Sequence, residues 1–249
     1  MSAFDNSARL EVCVDTPEGL ATAIAAKVDR IELCADLGVG GLTPTPGMMA
    51  MAAKAPMPVY AMIRPRQGDF VYGPDDLAVM LGDIAAVRRA GLAGVVLGAS
   101  RRDRSLDQDI LEILCRAAEG LGTTLHRAFD LVPDPEAALA LAIRLGFERI
   151  LTSGGVSDAH SGRQRLRKLV TSAGGRISIM GGGGVTPANV GDLLRATGIS
   201  EVHASAKVEV PQDADLVDWG FAMPRLYATS RETILALRQA MRGAPHLFG

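Results

Sequence analysis

The sequence has no excess of basic residues, which argues against nonspecific binding to nucleic acid or to a membrane surface. It contains 26 lysine and arginine residues against 28 aspartate and glutamate residues, for a formal net charge of -2. Proteins that bind polyanions nonspecifically usually carry a clear basic bias. We therefore expect neither nucleic acid nor a membrane among the partners of this protein.

Cysteine and long apolar segments are also scarce. The three cysteines, an odd number, cannot form a disulfide framework, so we expect reduced thiols of the kind found in the cytosol. Residues 1–6 lack the basic and apolar regions of a signal peptide. No apolar run approaches the roughly 20 residues that a bilayer-spanning helix needs. These absences predict a soluble, cytoplasmic protein.

The sequence does have a regular alternation of short β-rich runs and helix-like stretches. Eight such runs recur at a mean spacing of about 27 residues, the length of one βα unit. They begin near Arg9, Arg30, Pro58, Gly94, Thr123, Arg149, Arg176 and Glu201. Capping residues, prolines and glycines between these runs predict helices. The first begins at Pro17, and the others extend from Pro74 to Ala90, from Pro133 to near Gly146, from Thr186 to near Gly198 and from Thr229 to Met241.

Eight strands in strict alternation with helices predict an α/β fold, a single (β/α)8 TIM barrel with a parallel eight-stranded core across residues 1–249. Residues 1–8 are expected to form an N-terminal tail, and residues 207–249 the last loop and a C-terminal helix. The alternative is a doubly wound open sheet. That fold more often has about five to seven strands and a glycine-rich turn after the first strand, whereas the glycine run here follows the seventh.

Side-chain alternation along the strands predicts a polar barrel interior. In the first run, Leu10 and Val12 share one face while Glu11 and Cys13 share the other. The apolar face must pack on the surrounding helices, so the polar face points into the barrel. Applied to each strand, this rule places five ionisable side chains inside: Glu11, Glu32, Glu201, His126 and His203.

Such an interior requires partners for its charges, because an unpaired carboxylate in a dry core costs several kcal/mol. The candidate partners are Arg64, Arg127 and the two histidines, with a metal ion as a further possibility. Four other arginines directly precede strands and are expected to stabilise the N-terminal end of the barrel: Arg9, Arg30, Arg149 and Arg176.

Seven segments, in order along the chain, resemble the copper homeostasis protein CutC family. They are RIELCA (30–35), GGLTP (40–44), MIRPR with GDF (62–70), LHRAFD (125–130), RILTSGG (149–155), the glycine run with Val185, and EVHASA (201–206). The resemblance implies a TIM barrel, a cytoplasmic location, a role in copper handling and the possibility of a homodimer. It implies no particular reaction, so whether the protein is an enzyme is left open.

Cys13 and Cys34 are the candidate metal ligands. Each follows a glutamate by two residues on sequential strands, and adjacent strands lie about 4.8 Å apart. Two thiolates at matching levels can bridge one soft ion, and thiolates favour Cu(I) in a reducing cytosol. Together with the resemblance, this predicts Cu(I) binding through the cysteine pair. The alternative is that both are small buried side chains, as free cysteines often are.

The second hypothesis is a TIM-barrel enzyme, a lyase, isomerase or hydrolase acting on a small anionic or phosphorylated metabolite. Glu32 or His126 would serve as acid or base, with Asp130 as the carboxylate that positions the histidine. His203 is a further catalytic candidate, and it can also join Glu11 and Glu32 around a harder divalent ion.

The anion in this hypothesis would be bound at the carboxyl ends of the strands. Arg64, Arg66 and Arg127 can clamp a carboxylate or phosphate bidentately. Gly182, Gly183 and Gly184 are predicted to open a helix, where bare backbone N–H groups suit a phosphate, and Ser205 would complete the site. A purely conformational role for the glycines and structural ion pairs for the arginines are the alternatives.

Overall fold

The computed structural model describes residues 8–243, in which eight parallel strands close into a barrel. Each strand pairs with the next along the chain, and β8 returns to pair with β1. The strands are β1 (Arg9–Val14), β2 (Arg30–Leu33), β3 (Val59–Met62), β4 (Gly94–Leu97), β5 (Gly122–Leu125), β6 (Arg149–Thr152), β7 (Ser178–Gly182) and β8 (Glu201–Ala204). The predicted (β/α)8 barrel is confirmed and the open sheet is wrong. The predicted tail, apart from Ala8, lies outside the described residues.

Helices follow the strands and cover the outside of the barrel. They are α1 (Pro17–Ala25), α2 (Pro46–Ala52), α3 (Pro74–Ala90), α4 (Gln108–Ala117), α5 (Pro135–Arg144), α6 (Arg163–Ala173), α7 (Val190–Thr197), α8 (Ala214–Asp218) and α9 (Arg231–Arg242). Thr16 caps α1 through its side-chain oxygen, which accepts from the Gly19 N–H at 3.0 Å. Gly91 ends α3 in the left-handed region at φ 78°, so the predicted bounds of that helix are confirmed. Within residues 8–243, no helix combines the length and the apolar composition that crossing a bilayer requires.

The predicted start of α7 at Thr186 is wrong, because a turn occupies that position. The Asn189 side-chain oxygen accepts from the Thr186 N–H at 2.8 Å, and its amide donates to the Gly184 carbonyl at 2.8 Å. Asparagine competes for backbone groups in this way and favours turns over helix interiors. The helix therefore begins only at Val190.

The segment after β8 contains more than the predicted loop and C-terminal helix. Strands β9 (Lys207–Val210) and β10 (Leu226–Thr229) form an antiparallel pair, with α8 between them. The pairing joins residues far apart in the chain, which local patterns do not reveal. The segment from Lys207 to Thr229 carries large exposed apolar side chains: Val208, Leu216, Trp219, Phe221, Met223, Leu226 and Tyr227.

The two faces of the strands divide as the alternation predicts. The outward residues Leu10, Val12 and Ile31 are fully buried among the helices. The inward residues Glu11 and Glu32 are also buried, at 1% and 3% exposure, although they are charged types. Transfer of such groups out of water is costly unless they are paired, so the interior must satisfy them.

Tyr60 fills part of the barrel interior because its neighbours on the next strands are glycines. A Cβ on Gly94 would lie 2.6 Å from Cδ1 of Tyr60, and one on Gly122 would lie 2.6 Å from its Cζ. The ring thus lies across two positions that have no side chain. Its hydroxyl donates to a carboxylate oxygen of Glu148 at 2.8 Å, so the polar tip is satisfied.

We predict that Gly94→Ala lowers the free energy of unfolding by about 1–3 kcal/mol, the usual cost of overpacking a core. The matched control is Gly82→Ala, at an exposed position in α3 where a Cβ meets nothing within 4 Å. That change should raise stability by about 0.5–1 kcal/mol, because glycine is unfavourable inside a helix. Urea unfolding of both variants makes the measurement, and a neutral Gly94→Ala would contradict the packing described.

Candidate functional site

A buried ion-pair network lies in the lower layer of the barrel interior. The Arg30 guanidinium on β2 contacts Glu11 on β1 through Nε, and it contacts Glu201 on β8 through Nη2 at 2.5 Å. Arg149 on β6 contacts the same Glu201 oxygen through Nε at 3.3 Å. The prediction that Arg64 or Arg127 would pair with these carboxylates is therefore wrong. Arginines at the start of strands reach them instead, because their side chains enter the barrel from its N-terminal end.

Glu11 connects this network to His203 on β8. The Cα register places the two residues opposite each other, and Nδ1 of His203 lies 2.8 Å from Oε1 of Glu11. Burial alone would raise the pKa of Glu11, but the hydrogen bond with His203 and the charge of Arg30 lower it to about 2. An ionised Glu11 therefore accepts from His203 Nδ1–H. This contact fixes the imidazole so that its other nitrogen, Nε2, faces away from the network.

Nε2 of His203 lies in a group of metal-ligand atoms contributed by three neighbouring strands. Cys13 Sγ, a Glu32 carboxylate oxygen and a His203 nitrogen all lie within 4.8 Å of one another. The register explains the meeting, because Cys13 pairs with Glu32 across β1 and β2. Sulfur, oxygen and nitrogen ligands of this kind bind transition metals.

The charges in this group are coupled. Burial alone would lower the pKa of His203, but the charge of Glu32 and the contacts with Cys13 and Glu11 raise it well above its usual value. Burial raises the pKa of Glu32, against the opposing charge of His203, whose Nε2 is 3.8 Å from Oε2 of Glu32. A cation that replaces the proton on Nε2 would face the carboxylate of Glu32.

The expectation that Cys13 and Cys34 lie at matching levels is wrong. The register places Glu32 opposite Cys13, so Cys34 lies two residues farther along the chain. Its thiol contacts Oε2 of Glu32 at 3.6 Å, beside the Met62 side chain. Burial raises the pKa of Cys34 well above its usual value, and the charge of Glu32 adds to the effect. Both thiols therefore adjoin Glu32, from different levels of the barrel.

A cavity of about 490 Å³ opens at the C-terminal end of the strands, above this group. It brings together most of the predicted site residues: Cys13, Glu32, Arg64, His126, Arg127, Gly183, Gly184, His203 and Ser205. TIM-barrel active sites lie at this end, and most of the predicted site residues converge here. Cys34, Arg66, Asp130 and Gly182 do not line it.

His126 is a neutral donor in this cavity. Its Nδ1 accepts the Ala128 N–H at 3.2 Å, which assigns the ring proton to Nε2. Burial, reinforced by the charge of Arg64, lowers the pKa of His126 to about 3. Nε2 is buried and finds no hydrogen-bond partner among residues 8–243. Phe70, which the sequence analysis did not assign, packs against the ring at an angle of 44°, with centroids 4.7 Å apart. Its position in the GDF segment, one of the segments that resemble the CutC family, could have indicated a place in the site.

Asp130 does not position His126, so that prediction is wrong. Its carboxylate accepts from Thr152 Oγ1 at 2.5 Å and from the Ser153 N–H at 3.0 Å. It also accepts from Nε of Arg127 at 2.7 Å. These hydrogen bonds of the Asp130 carboxylate stabilise the loop after β6 and fix the position of Arg127. Nη1 of Arg127 in turn lies next to Gly183.

Arg64 and Arg66 do not form one anion clamp. Arg64 is buried and donates to the carbonyls of Val39, Gly41 and Gly68 at 2.8–3.1 Å, so it anchors two loops while lining the cavity. Arg66 pairs outside the cavity, with Asp69 at 3.1 Å and with Asp76 at 3.2 Å. Strand β3 ends at Met62, so alternation no longer governs the direction of these two side chains.

The glycine run is not a helix N-terminus, because α7 begins six residues after Gly184. Gly182 belongs to β7 and lies against His203, where a Cβ would come within 3.1 Å of the histidine Cβ. Gly183 and Gly184 are in the left-handed region at φ 95° and 67°, and they line the cavity. The helix-dipole argument for a phosphate is therefore wrong, although the loop does reach the site.

Comparisons with known proteins agree with one another. The model of the CutC family matches residues 8–208. A CutC-family protein of Sinorhizobium medicae is 54% identical over 95% of this chain and 97% of its own length. One of Caulobacter vibrioides is 54% identical over 94% of this chain and 96% of its own. The solved structure of CutC from Streptococcus agalactiae, a protein of proposed copper homeostasis function, is 33% identical with a TM-score of 0.76. It aligns over 80% of this chain and 98% of that one.

We predict that His126 makes the fold sensitive to acid. The unfolded chain takes up a proton on this histidine near its usual pKa of 6.5, whereas the folded protein takes it up only near 3. Its contribution to stability is complete above pH 6.5 and falls by about 1.4 kcal/mol per pH unit as the pH drops. The His126→Gln variant should lose this slope.

The measurement is urea unfolding of wild type and variant at several pH values below 6.5. His160→Gln is the matched control, because the His160 side chain is 40% exposed and lies outside the cavity. Equal slopes for wild type and His126→Gln would show that His126 is not held neutral.

Proposed function

This chain belongs to the CutC family, and from that premise we propose that it binds Cu(I) at the mouth of the barrel and serves copper homeostasis in the cytoplasm. The observation that carries the proposal is the convergence of Cys13, Glu32 and His203 within 4.8 Å, with Cys34 beside the same glutamate. The name of the Streptococcus agalactiae relative supports the choice of copper.

The donor set fits a soft or borderline metal ion. Thiolate and imidazole are ligands that copper accepts, and the cavity adds the thioether of Met62 to its lining. Oε1 of Glu32 is buried and finds no hydrogen-bond partner within residues 8–243, so the site has an unused acceptor. Glu11 holds the imidazole from behind, and such a carboxylate contact fixes the ring and raises its basicity as a ligand.

The roles of the two thiols differ in this proposal. Cys13 is the principal ligand because its sulfur belongs to the converging group. Cys34 is the second thiolate. Burial raises the pKa of its thiol, so a metal ion that binds this sulfur must displace the proton. Metal uptake therefore releases protons, and copper affinity should weaken as the pH falls.

We predict that the Cys13→Ser variant loses tight Cu(I) binding, because serine removes the only sulfur in the converging group. Cys34→Ser should weaken binding by a smaller factor, and Glu11→Gln by about 10–100-fold through the loosened His203. The measurement is an anaerobic Cu(I) titration of the reduced protein against a competing chelator. Cys115→Ser, on α4 away from the cavity, is the control and should bind like wild type.

Equal Cu(I) affinity in the wild type and in the Cys13→Ser/Cys34→Ser double variant would reject the proposal. Circular dichroism and urea unfolding of each variant establish that the comparison is made on folded protein. Loss of binding in Cys115→Ser alone would place the copper at the helix instead.

A further inference from the structure

Three buried polar atoms without partners belong to the lining of one cavity. Within residues 8–243, six buried side-chain nitrogen or oxygen atoms find no hydrogen-bond partner, and three of them belong to the cavity residues Glu32, Arg64 and His126. A buried polar group left unpaired costs about 1–3 kcal/mol. Three such groups on residues that line one cavity indicate that a bound molecule satisfies them.

The two nitrogen atoms are donors whose directions are fixed. Arg64 donates through Nη1 and Nη2 to loop carbonyls, whereas its Nε–H finds no hydrogen-bond partner within residues 8–243. His126 has its proton on Nε2 because Nδ1 accepts from Ala128. Phe70 packs against both, with its ring 4.7 Å from the His126 ring and 5.2 Å from the Arg64 guanidinium. This wall therefore offers two N–H donors and one positive charge.

We propose that this cavity binds a small hydroxy- or oxo-carboxylate. Its carboxylate accepts from Arg64 Nε–H and His126 Nε2–H. A hydroxyl at its other end donates to Oε1 of Glu32, whereas a carbonyl there pairs with Glu32 only when that carboxyl is protonated. Two N–H groups with one fixed positive charge match the two oxygens and the single charge of a carboxylate. The cavity volume of about 490 Å³ is within the range of small-molecule sites.

A phosphate group fits this wall less well. Its greater charge calls for further cations. Arg127 in the cavity lining already donates to Asp130 at 2.7 Å and to Ser153 Oγ at 2.8 Å, and Nζ of Lys207 lies over the Tyr227 ring, 4.1 Å from its centroid. The carboxylate end of the ligand uses Arg64 and His126, which lie outside the group of metal-ligand atoms, and only its other end approaches Glu32. It therefore goes beyond copper binding and does not rest on it.

The test is an NMR titration of the reduced, metal-free protein, with EDTA present, using glycolate and pyruvate as probes. We expect saturable shifts of the Phe70 and Ala128 amides with glycolate or pyruvate, and none with uncharged ethylene glycol. His126→Leu should weaken binding by about tenfold or more, the effect of losing a hydrogen bond to a charged group. His126→Gln, which retains an N–H donor, should recover part of it.

His160→Leu is the matched control and should bind glycolate and pyruvate like wild type, because His160 lies outside the cavity. Absence of saturable shifts with both acids, or equal binding by His126→Leu, would overturn the proposal. Saturation by inorganic phosphate alone would overturn the assignment to a carboxylate. Because no metal is present, each of these outcomes is independent of the copper titration.

Discussion

The contact between Arg30 and the two glutamates Glu11 and Glu201 is the interaction on which the rest of the interior depends. It joins β2 to β1 and β8, the strands at which the barrel closes. A buried ion pair contributes little net stability over an apolar core, but removing one partner costs about 3–5 kcal/mol. Arg30 thus makes a charged interior tolerable, and through Glu11 it determines the direction in which His203 faces.

The interior consequently has two layers with different properties. In the lower layer, the charges of Arg30, Arg149, Glu11 and Glu201 are mutually paired. In the upper layer, the polar atoms of Glu32, Arg64 and His126 include several without partners. The paired layer supports the fold, and the layer with unused donors and acceptors has the capacity to bind. Metal-ligand atoms and anion donors lie around one cavity, so both proposals concern the same end of the barrel.

The fold could be predicted because its signals are local. The regular spacing of eight strands predicts the barrel. The alternation of apolar and polar residues, such as Leu10 and Glu11, predicts its polar interior. The partners of the buried charges could not be predicted, because Arg149 reaches Glu201 from a strand that is distant in the sequence. The level of Cys34 likewise depends on strand register, which strand spacing alone does not determine. The direction of Arg66 was missed because alternation ends with the strand.

The most direct test of the account is a crystal structure of the reduced protein exposed to Cu(I), with anomalous diffraction measured at the copper absorption edge. The account predicts one strong anomalous peak at the barrel mouth, next to Cys13 Sγ and Nε2 of His203, with Nδ1 of His203 still bound to Glu11. A peak beside Cys115, or no peak inside the barrel, would contradict the proposal that the barrel mouth binds Cu(I).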